Sequence, residues 1–315
     1  MSGRILVTGA AGFIGSHVAE RLLADGHQLV LLDGFTSYYE RWRKEANVAT
    51  ARAHPAATFL ELDLRTDDLA PALDGVDRVV HLAAMPGLPR SWTEMETYTA
   101  CNLTATYRLL EAARAVDVRR FVQISTSSVY GESALGDETQ PLEPVSPYGV
   151  TKLAAEYLVG AYVQTHGFPA TILRYFSIYG PRQRPDMAYH RFIEAMLDGQ
   201  PISVFGDGHQ SRSSTYIADA VDGTVRALAD GAIGEVYNIG GGERIELLDV
   251  IRLLGESIGI EPTVEFGPAR PGDQRHTGAD TSKAAAAFGY APGWAPADGL
   301  RAQIDWHRAM REAGR

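Results

Sequence analysis

The stretch that most constrains the fold is "ILVTGAAGFIGSHVAERLL", residues 5–23. An apolar run, Ile5–Leu6–Val7, enters a loop carrying Gly9, Gly12 and Gly15. An amphipathic segment with Ile14, Val18 and Leu22 on one face follows it. Strand, glycine-spaced turn and helix in that order read as the opening of a βαβ unit that binds a dinucleotide. Gly9 permits the tight turn and Gly12 lets main chain approach a pyrophosphate. The helix N-terminus offers unpaired N–H groups and a positive dipole end. Asp33 ends the next apolar run, where a carboxylate accepts hydrogen bonds from adenosine ribose hydroxyls and repels a 2′-phosphate. No arginine immediately follows it, so NAD is favoured over NADP. Asp63, in "LELDL", is either an adenine contact or a strand-end turn residue.

Five further segments continue the alternation begun by Arg4–Thr8. Strands are expected at Gln28–Asp33, Thr58–Leu62, Arg78–Leu82, Arg120–Ser125 and Ala170–Tyr175, and helices near Gly12–Asp25, Thr97–Ala115 and Pro147–His166. Short strands without period-2 alternation, each followed by a helix, predict a parallel sheet covered on both faces. The fold class is therefore α/β, a Rossmann-type doubly wound parallel sheet with a smaller, interleaved C-terminal α/β domain. Beyond Tyr175 a helix is expected at Met187–Asp198 and a strand at Ile202–Phe205. Ala218–Asp230 and Glu235–Ile239 read as one more unit of the main sheet. Two or three helices and one strand, Thr263–Phe266, complete the chain. The expected division is residues 1–175 with 216–240 for the dinucleotide, and 176–215 with 241–315 for a second ligand. There is no internal repeat, low-complexity tract or flexible linker.

A net charge of −10 argues against general affinity for nucleic acid or anionic lipid, since both require basic surface. The single cysteine, Cys101, rules out an internal disulfide framework and suits a reducing compartment. The first residues, "MSGRILVTGAAG", carry no signal-peptide pattern, and no apolar run reaches membrane-spanning length, so the cytoplasm is the expected location. The nine histidines show no paired ligand spacing, which leaves no metal site expected.

Of the fourteen tyrosines only Tyr148 has a lysine four positions later, Lys152, in "YGVTK". With three lysines in 315 residues, chance supplies about 0.13 such pairs. On a helix the two side chains share a face, so the ammonium stabilises a tyrosinate and reaches a ribose hydroxyl. A tyrosine acting as a base near neutrality needs its pKa lowered by roughly 3 units, or about 4 kcal/mol. The ammonium and a positively charged nicotinamide are the expected sources.

Together the GxxGxxG loop, Asp33, "HLAA" (His81–Ala84), the hydroxyl run before "VYG" and Tyr-x-x-x-Lys resemble the extended short-chain dehydrogenase/reductase superfamily. Over nearly the whole chain the sequence is most similar to its NAD-dependent nucleotide-sugar epimerases. The resemblance implies tightly held, recycled NAD, with Tyr148, Lys152 and Thr126 as the catalytic group. It adds Phe13, Ile14, Leu64, Leu82, Ala83, Ala84, Ser125 and Tyr175 to the cofactor site, and Asn102 as a support position there. It also implies a homodimer formed through helices near Thr97–Ala115 and Pro147–His166.

The run "STSSVYG" separates neighbouring reactions. By the resemblance Thr126 hydrogen-bonds the sugar hydroxyl being oxidised. Family members that eliminate water carry an Asp-Glu pair after that threonine, and those that decarboxylate a nucleotide uronate carry a Glu two places after it. Protonating a leaving hydroxyl or guiding loss of CO2 benefits from a carboxyl group there. This chain has Ser127 and Ser128, as suits an epimerase. Thr126 and Ser128 are expected to face the substrate, whereas Ser125 and Ser127 either do so or satisfy backbone groups.

In "RYFSIYGPRQRPDM" a serine, Ser177, stands where members acting on UDP-glucose carry asparagine. With the arginine-rich loop this looks like UDP-glucuronate 4-epimerases. Arg184, aided by Ser177 and Ser128, would grip a C6 carboxylate by charge-assisted hydrogen bonds. The alternative places Arg182 and Arg184 in solvent or against Asp186. Positions matching the family's substrate contacts are Arg90, Phe205 and the backbone near Val204, the last two bordering the uracil, with Arg212 and Arg270 on the diphosphate and Asp273 on a ribose hydroxyl. Ser213 and Ser214 depart from the family's usual residues after that arginine. UDP-glucose or UDP-N-acetylglucosamine 4-epimerisation, UDP-glucuronate decarboxylation and dinucleotide sensing without turnover are the competing readings. Sensors of that kind tend to lose the tyrosine or lysine, and both are present.

Overall fold

Seven parallel strands form the central sheet of the computed structural model, which describes residues 3–241, 243–269 and 274–314. They are β1 (Arg4–Thr8), β2 (Leu29–Leu32), β3 (Ala57–Leu60), β4 (Val76–His81), β5 (Arg120–Thr126), β6 (Ala170–Tyr175) and β7 (Val236–Ile239). Their order is β7-β6-β5-β4-β1-β2-β3, with every pairing parallel. Ile5, Leu6 and Val7 are fully buried, as are all four residues of β2. Burial of successive residues explains why these strands read as unbroken apolar runs. The expected doubly wound sheet is present, and its order reverses between β1 and β4, where open α/β sheets place their ligand crevice.

Most expected elements appear with ends displaced by one or two residues, as fraying of termini allows. One long helix was not foreseen, Arg41–Ala53, "RWRKEANVATARA", between β2 and β3, nor were the one-turn helices Ala70–Leu73 and Leu88–Ser91. The long helix buries only Lys44, Asn47, Val48 and Ala51. The spacing is helical, but half of that stripe is polar, so hydropathy gives almost no signal. The region near Thr97–Ala115 is helical but interrupted by a π-helical turn at Ala100–Thr104 that buries Cys101 and Asn102. Among the described residues after Glu246 there are three helices, Leu247–Ile258, Ser282–Phe288 and Pro296–Glu312. The strand Val264–Gly267 pairs with Ile202–Phe205. Two-residue strands at Ser211–Arg212, Ile245–Glu246 and His276–Thr277, with Ser133–Ala134, form a small sheet. Strands that short carry no periodicity to read.

The Pro147–His166 helix is defined at both ends. The Ser146 hydroxyl accepts the Gly149 N–H at 3.1 Å, Pro147 takes the first turn, and Gly167 closes the helix in the left-handed region. A Cβ on Gly149 would lie 2.7 Å from the Ser128 carbonyl, so glycine is what lets this helix approach the hydroxyl run.

Candidate active site

A cavity of about 910 Å³ opens at the carboxyl ends of the strands. One end is built by the glycine loop. Gly9 has φ +69°, and a Cβ on Gly15 would sit 2.1 Å from the Gly9 carbonyl oxygen. No side chain caps the Phe13–Ala24 helix, and its first residues, Phe13 to Gly15, line the cavity. Asp33 accepts the Ala11 and Phe35 N–H groups at 3.0 and 2.8 Å. Burial raises its pKa; Lys44 and those two N–H groups oppose the rise. A glycine cradle, an uncapped helix N-terminus and a strand-end carboxylate suit the diphosphate and ribose of a dinucleotide.

Phe13, Ile14, Gly12, Leu64, Leu82, Ala83, Ala84 and Tyr175 line the same cavity, as does Asp63. The Asp63 carboxylate is paired with Arg65 at 2.6 Å, which holds it below the usual range. Asn102 does not line the cavity. It is buried outside the wall, bonding both main-chain groups of Met85 (2.7 and 3.1 Å) and the Thr151 hydroxyl at 3.0 Å. It thereby ties the π-helical turn to the helix that carries Tyr148 and Lys152.

At the other end Thr126, Ser127, Ser128, Tyr148 and Lys152 converge on the cavity. Lys152 donates to the Ile124 carbonyl at 2.6 Å. Burial lowers the lysine to about 8, with Glu156 opposing. Burial raises the Tyr148 phenol, opposed by the Thr126 hydroxyl and the Arg184 charge. The expected depression by Lys152 is therefore not present in the protein alone. The Thr126 hydroxyl also bonds Ser128, accepting its N–H and donating to its Oγ, both at 3.2 Å. Ser127 donates to Gln274 at 3.2 Å. Ser125 lines the cavity, but its hydroxyl is committed to the Glu156 carboxylate.

Ser177 lines the cavity with φ +40°, an uncommon backbone setting for a non-glycine residue. Arg184 also lines it and binds Asp186 through two contacts of 3.0 Å. Burial favours a neutral Asp186, yet Arg184 holds its carboxyl below the ordinary range. Arg182 instead pairs with Glu20 at 2.8 Å, outside the cavity wall. Arg90 lines the wall, pairs with Glu94 at 2.8 Å and stacks over Tyr38. Arg212 reaches the cavity while donating to the Ser211 and Arg275 carbonyls.

Two expected substrate contacts lie elsewhere. Val204 is 1% exposed in the apolar core, and Phe205 continues that strand; neither lines the cavity, because pairing with Val264–Gly267 draws the strand into the second region. Arg270 and Asp273 lie outside the described residues. Residues the sequence reading missed include Tyr38, Lys44, Asp186 and Gln274, all in the wall. Lys44 donates to the Thr36 carbonyl at 2.8 Å beside Asp33. A buried lysine on a polar helix was its one signal, and that helix was itself unseen.

His81, read as part of the strand-four turn, is buried between the Thr8 hydroxyl (2.7 Å) and the Thr106 hydroxyl (3.1 Å), and burial lowers its pKa to about 3. Contrary to the histidines' scatter in sequence, the fold brings His190, Glu194 and His307 together. The Glu194 carboxylate is already bound to His307 and Arg311, and Arg43 acts on both imidazoles. Two arginines against one carboxylate oppose a cation there.

Among the described residues no helix is long and apolar enough to cross a membrane. The profile of the NAD dependent epimerase/dehydratase family matches residues 5–240. A Bacillus subtilis protein named "Uncharacterized UDP-glucose epimerase YtcB" is 46% identical over 96% of both chains. A dTDP-glucose 4,6-dehydratase from Streptomyces griseus is 35% identical over 99% of this chain and 96% of its own. Among solved structures, the UDP-glucuronic acid 4-epimerase of Bacillus cereus in complex with UDP-glucuronic acid and NAD superposes with a TM-score of 0.95. It is 43% identical and covers 98% of this chain and 99% of its own.

Proposed function

The chain belongs to the NAD dependent epimerase/dehydratase family, and from that premise we propose that it interconverts UDP-glucuronate and UDP-galacturonate by inversion at C4. NAD is the cofactor, and what it supplies when bound is a hydride acceptor that gives the hydride back. Gly9, Gly12, Gly15 and Asp33 would hold it. Tyr148 takes the proton of the C4 hydroxyl as C4 loses hydride, giving a 4-keto sugar; the keto sugar turns over, and Tyr148 returns the proton as hydride comes back to the face now presented. Thr126 aligns that hydroxyl, and Lys152 stabilises the tyrosinate.

The observation that carries the choice of sugar is Arg184 in one cavity with Thr126, Ser128 and Tyr148. Its guanidinium already receives a carboxylate side-on, that of Asp186, so the fork suits the C6 carboxylate of a uronate. A 4-keto uronate is a β-keto acid and tends to lose CO2. Holding the carboxylate so that its C–C bond lies near the carbonyl plane suppresses that loss. The run Ser125–Ser128 offers no carboxyl group to guide decarboxylation or elimination, which also speaks against a 4,6-dehydratase. The second region, residues 176–215 with 241–315, would bind the nucleotide, with Arg212, Arg270 and Asp273 on the diphosphate and ribose.

Exposed Tyr107, Val150 and Tyr157, on the Ala105–Ala115 and Pro147–His166 helices, support a homodimer through those helices. The single cysteine supports a cytoplasmic enzyme. Incubating the purified protein with UDP-glucuronate, UDP-glucose and UDP-N-acetylglucosamine, with products read by NMR, tests the assignment. UDP-galacturonate is expected from the first. Turnover of a neutral sugar with the uronate untouched, or a pentose product, would overturn it.

A further inference from the structure

Behind the cavity wall a buried ion pair sits one helical turn beyond Lys152. Glu156 and Arg174 have side chains only 4% exposed and join through contacts of 2.7, 3.1 and 3.2 Å. Arg174 also donates to the Tyr130 hydroxyl at 2.8 Å, which donates to Asn238 at 2.7 Å. The same carboxylate accepts the Ser125 hydroxyl. Every member of this network is buried. Desolvating two charges commonly cancels what their attraction gains, so stability alone is a poor reason for the pair.

Its position supplies another. Ser125 and Arg174 are register partners across β5 and β6, and the next pair along is Thr126 and Tyr175. Glu156 therefore ties both strands to the helix at the level where Thr126 enters the site. Tyr148, Lys152 and Glu156 follow at i, i+4 and i+8, on one face. Around the Lys152 ammonium, β5 contributes the Ile124 carbonyl that accepts from it, with the neighbouring Ser125 hydroxyl held on Glu156. β4 contributes His81, kept neutral by burial. β6 contributes Arg174, already bound to Glu156, and the lysine's own helix contributes Tyr148 and Glu156. Glu156 is the one carboxylate acting on the ammonium among the described residues.

We propose that Glu156, fixed by Arg174, is a positioning residue of the reaction, acting through Lys152 and Ser125 to hold the ammonium and the Thr126 strand end in register with Tyr148. This rests on the epimerase reading above. Without the carboxylate the lysine sheds its proton more readily, and the tyrosinate loses its partner at lower pH.

The test compares kcat and KM on UDP-glucuronate across pH for the wild type, Glu156→Gln and Glu156→Gln/Arg174→Met. The double variant removes both members of the ion pair, so no guanidinium is left buried without its carboxylate and it remains informative if the single variant folds poorly. The alkaline limb of kcat is expected to move down by about one pH unit, a roughly tenfold loss at about pH 8.5. KM and bound NAD should stay near wild type. A loss uniform across pH, or an unshifted profile in the double variant, would overturn the inference. The two readings fail separately: a Tyr148→Phe enzyme that still epimerises removes the mechanism itself, whereas a Tyr148-dependent enzyme indifferent to Glu156 removes this inference alone.

Discussion

Asp186 occupies the guanidinium fork of Arg184 at 3.0 Å through both of its oxygens, and one of them also accepts the Tyr38 hydroxyl at 3.2 Å. The loop after β6 is thus latched to the loop after β2 across the cavity, with an internal carboxylate in the place proposed for the substrate's own. Arg184→Ala is expected to lower kcat/KM for UDP-glucuronate by roughly 10- to 100-fold, the worth of one charge-assisted hydrogen-bonding group. NMR should show any residual product enriched in the decarboxylated pentose. Full activity on the uronate would remove Arg184 from the carboxylate site.

Tyr148→Phe keeps the ring that packs edge-on at 6.3 Å against Tyr98 and deletes only the hydroxyl. Turnover is expected to fall by roughly 10²- to 10⁴-fold, the range for loss of a general acid–base group. Bound NAD, read by absorbance after denaturation, should be unchanged.

Burial lowers Lys152 to about 8 from its ordinary 10.5. The unfolded chain therefore binds more protons between those values, and stability rises with pH across that window. Below about pH 8 the buried charge costs on the order of 3 kcal/mol relative to its uncharged form. Urea unfolding at about pH 7.5 and about pH 9.5 should show stability gained on the alkaline side, and Lys152→Met should abolish most of that gain. Activity is expected to run oppositely, falling as the lysine loses its proton. Equal pH slopes in wild type and variant would mean that Lys152 is not the titrating group.

A methyl group on Gly15 has no room, since it would stand 2.1 Å from the Gly9 carbonyl oxygen. Gly15→Ala must push the Phe13–Ala24 helix away from the loop, at a cost of about 1–3 kcal/mol by overpacking. Thermal unfolding should register the loss, and co-purified NAD should fall sharply. A variant that retains wild-type NAD and melting temperature would show that this approach is not needed.

The parallel sheet, the glycine loop, Asp33 and the Tyr148–Lys152 pair were readable from the chain because each depends on spacing over a few residues. A period of 3.6 places Tyr148 and Lys152 on one face whatever else the protein does, and buried parallel strands leave apolar runs. Val204 and Phe205 lie off the cavity because composition and spacing do not say which way a strand is drawn, and the partners of Asn102, Met85 and Thr151, could not be read because they lie in other segments. The Arg41–Ala53 helix escaped because half of its buried face is polar.

Packing alone placed Tyr38 against Asp186, His190 against His307, and Glu156 between Ser125 and Arg174. Each joins residues far apart along the chain whose local surroundings look like ordinary loop or helix. Local geometry repeats with a fixed period and so leaves a trace in residue order. Contact between distant segments depends on how whole elements stack, and no short pattern encodes it.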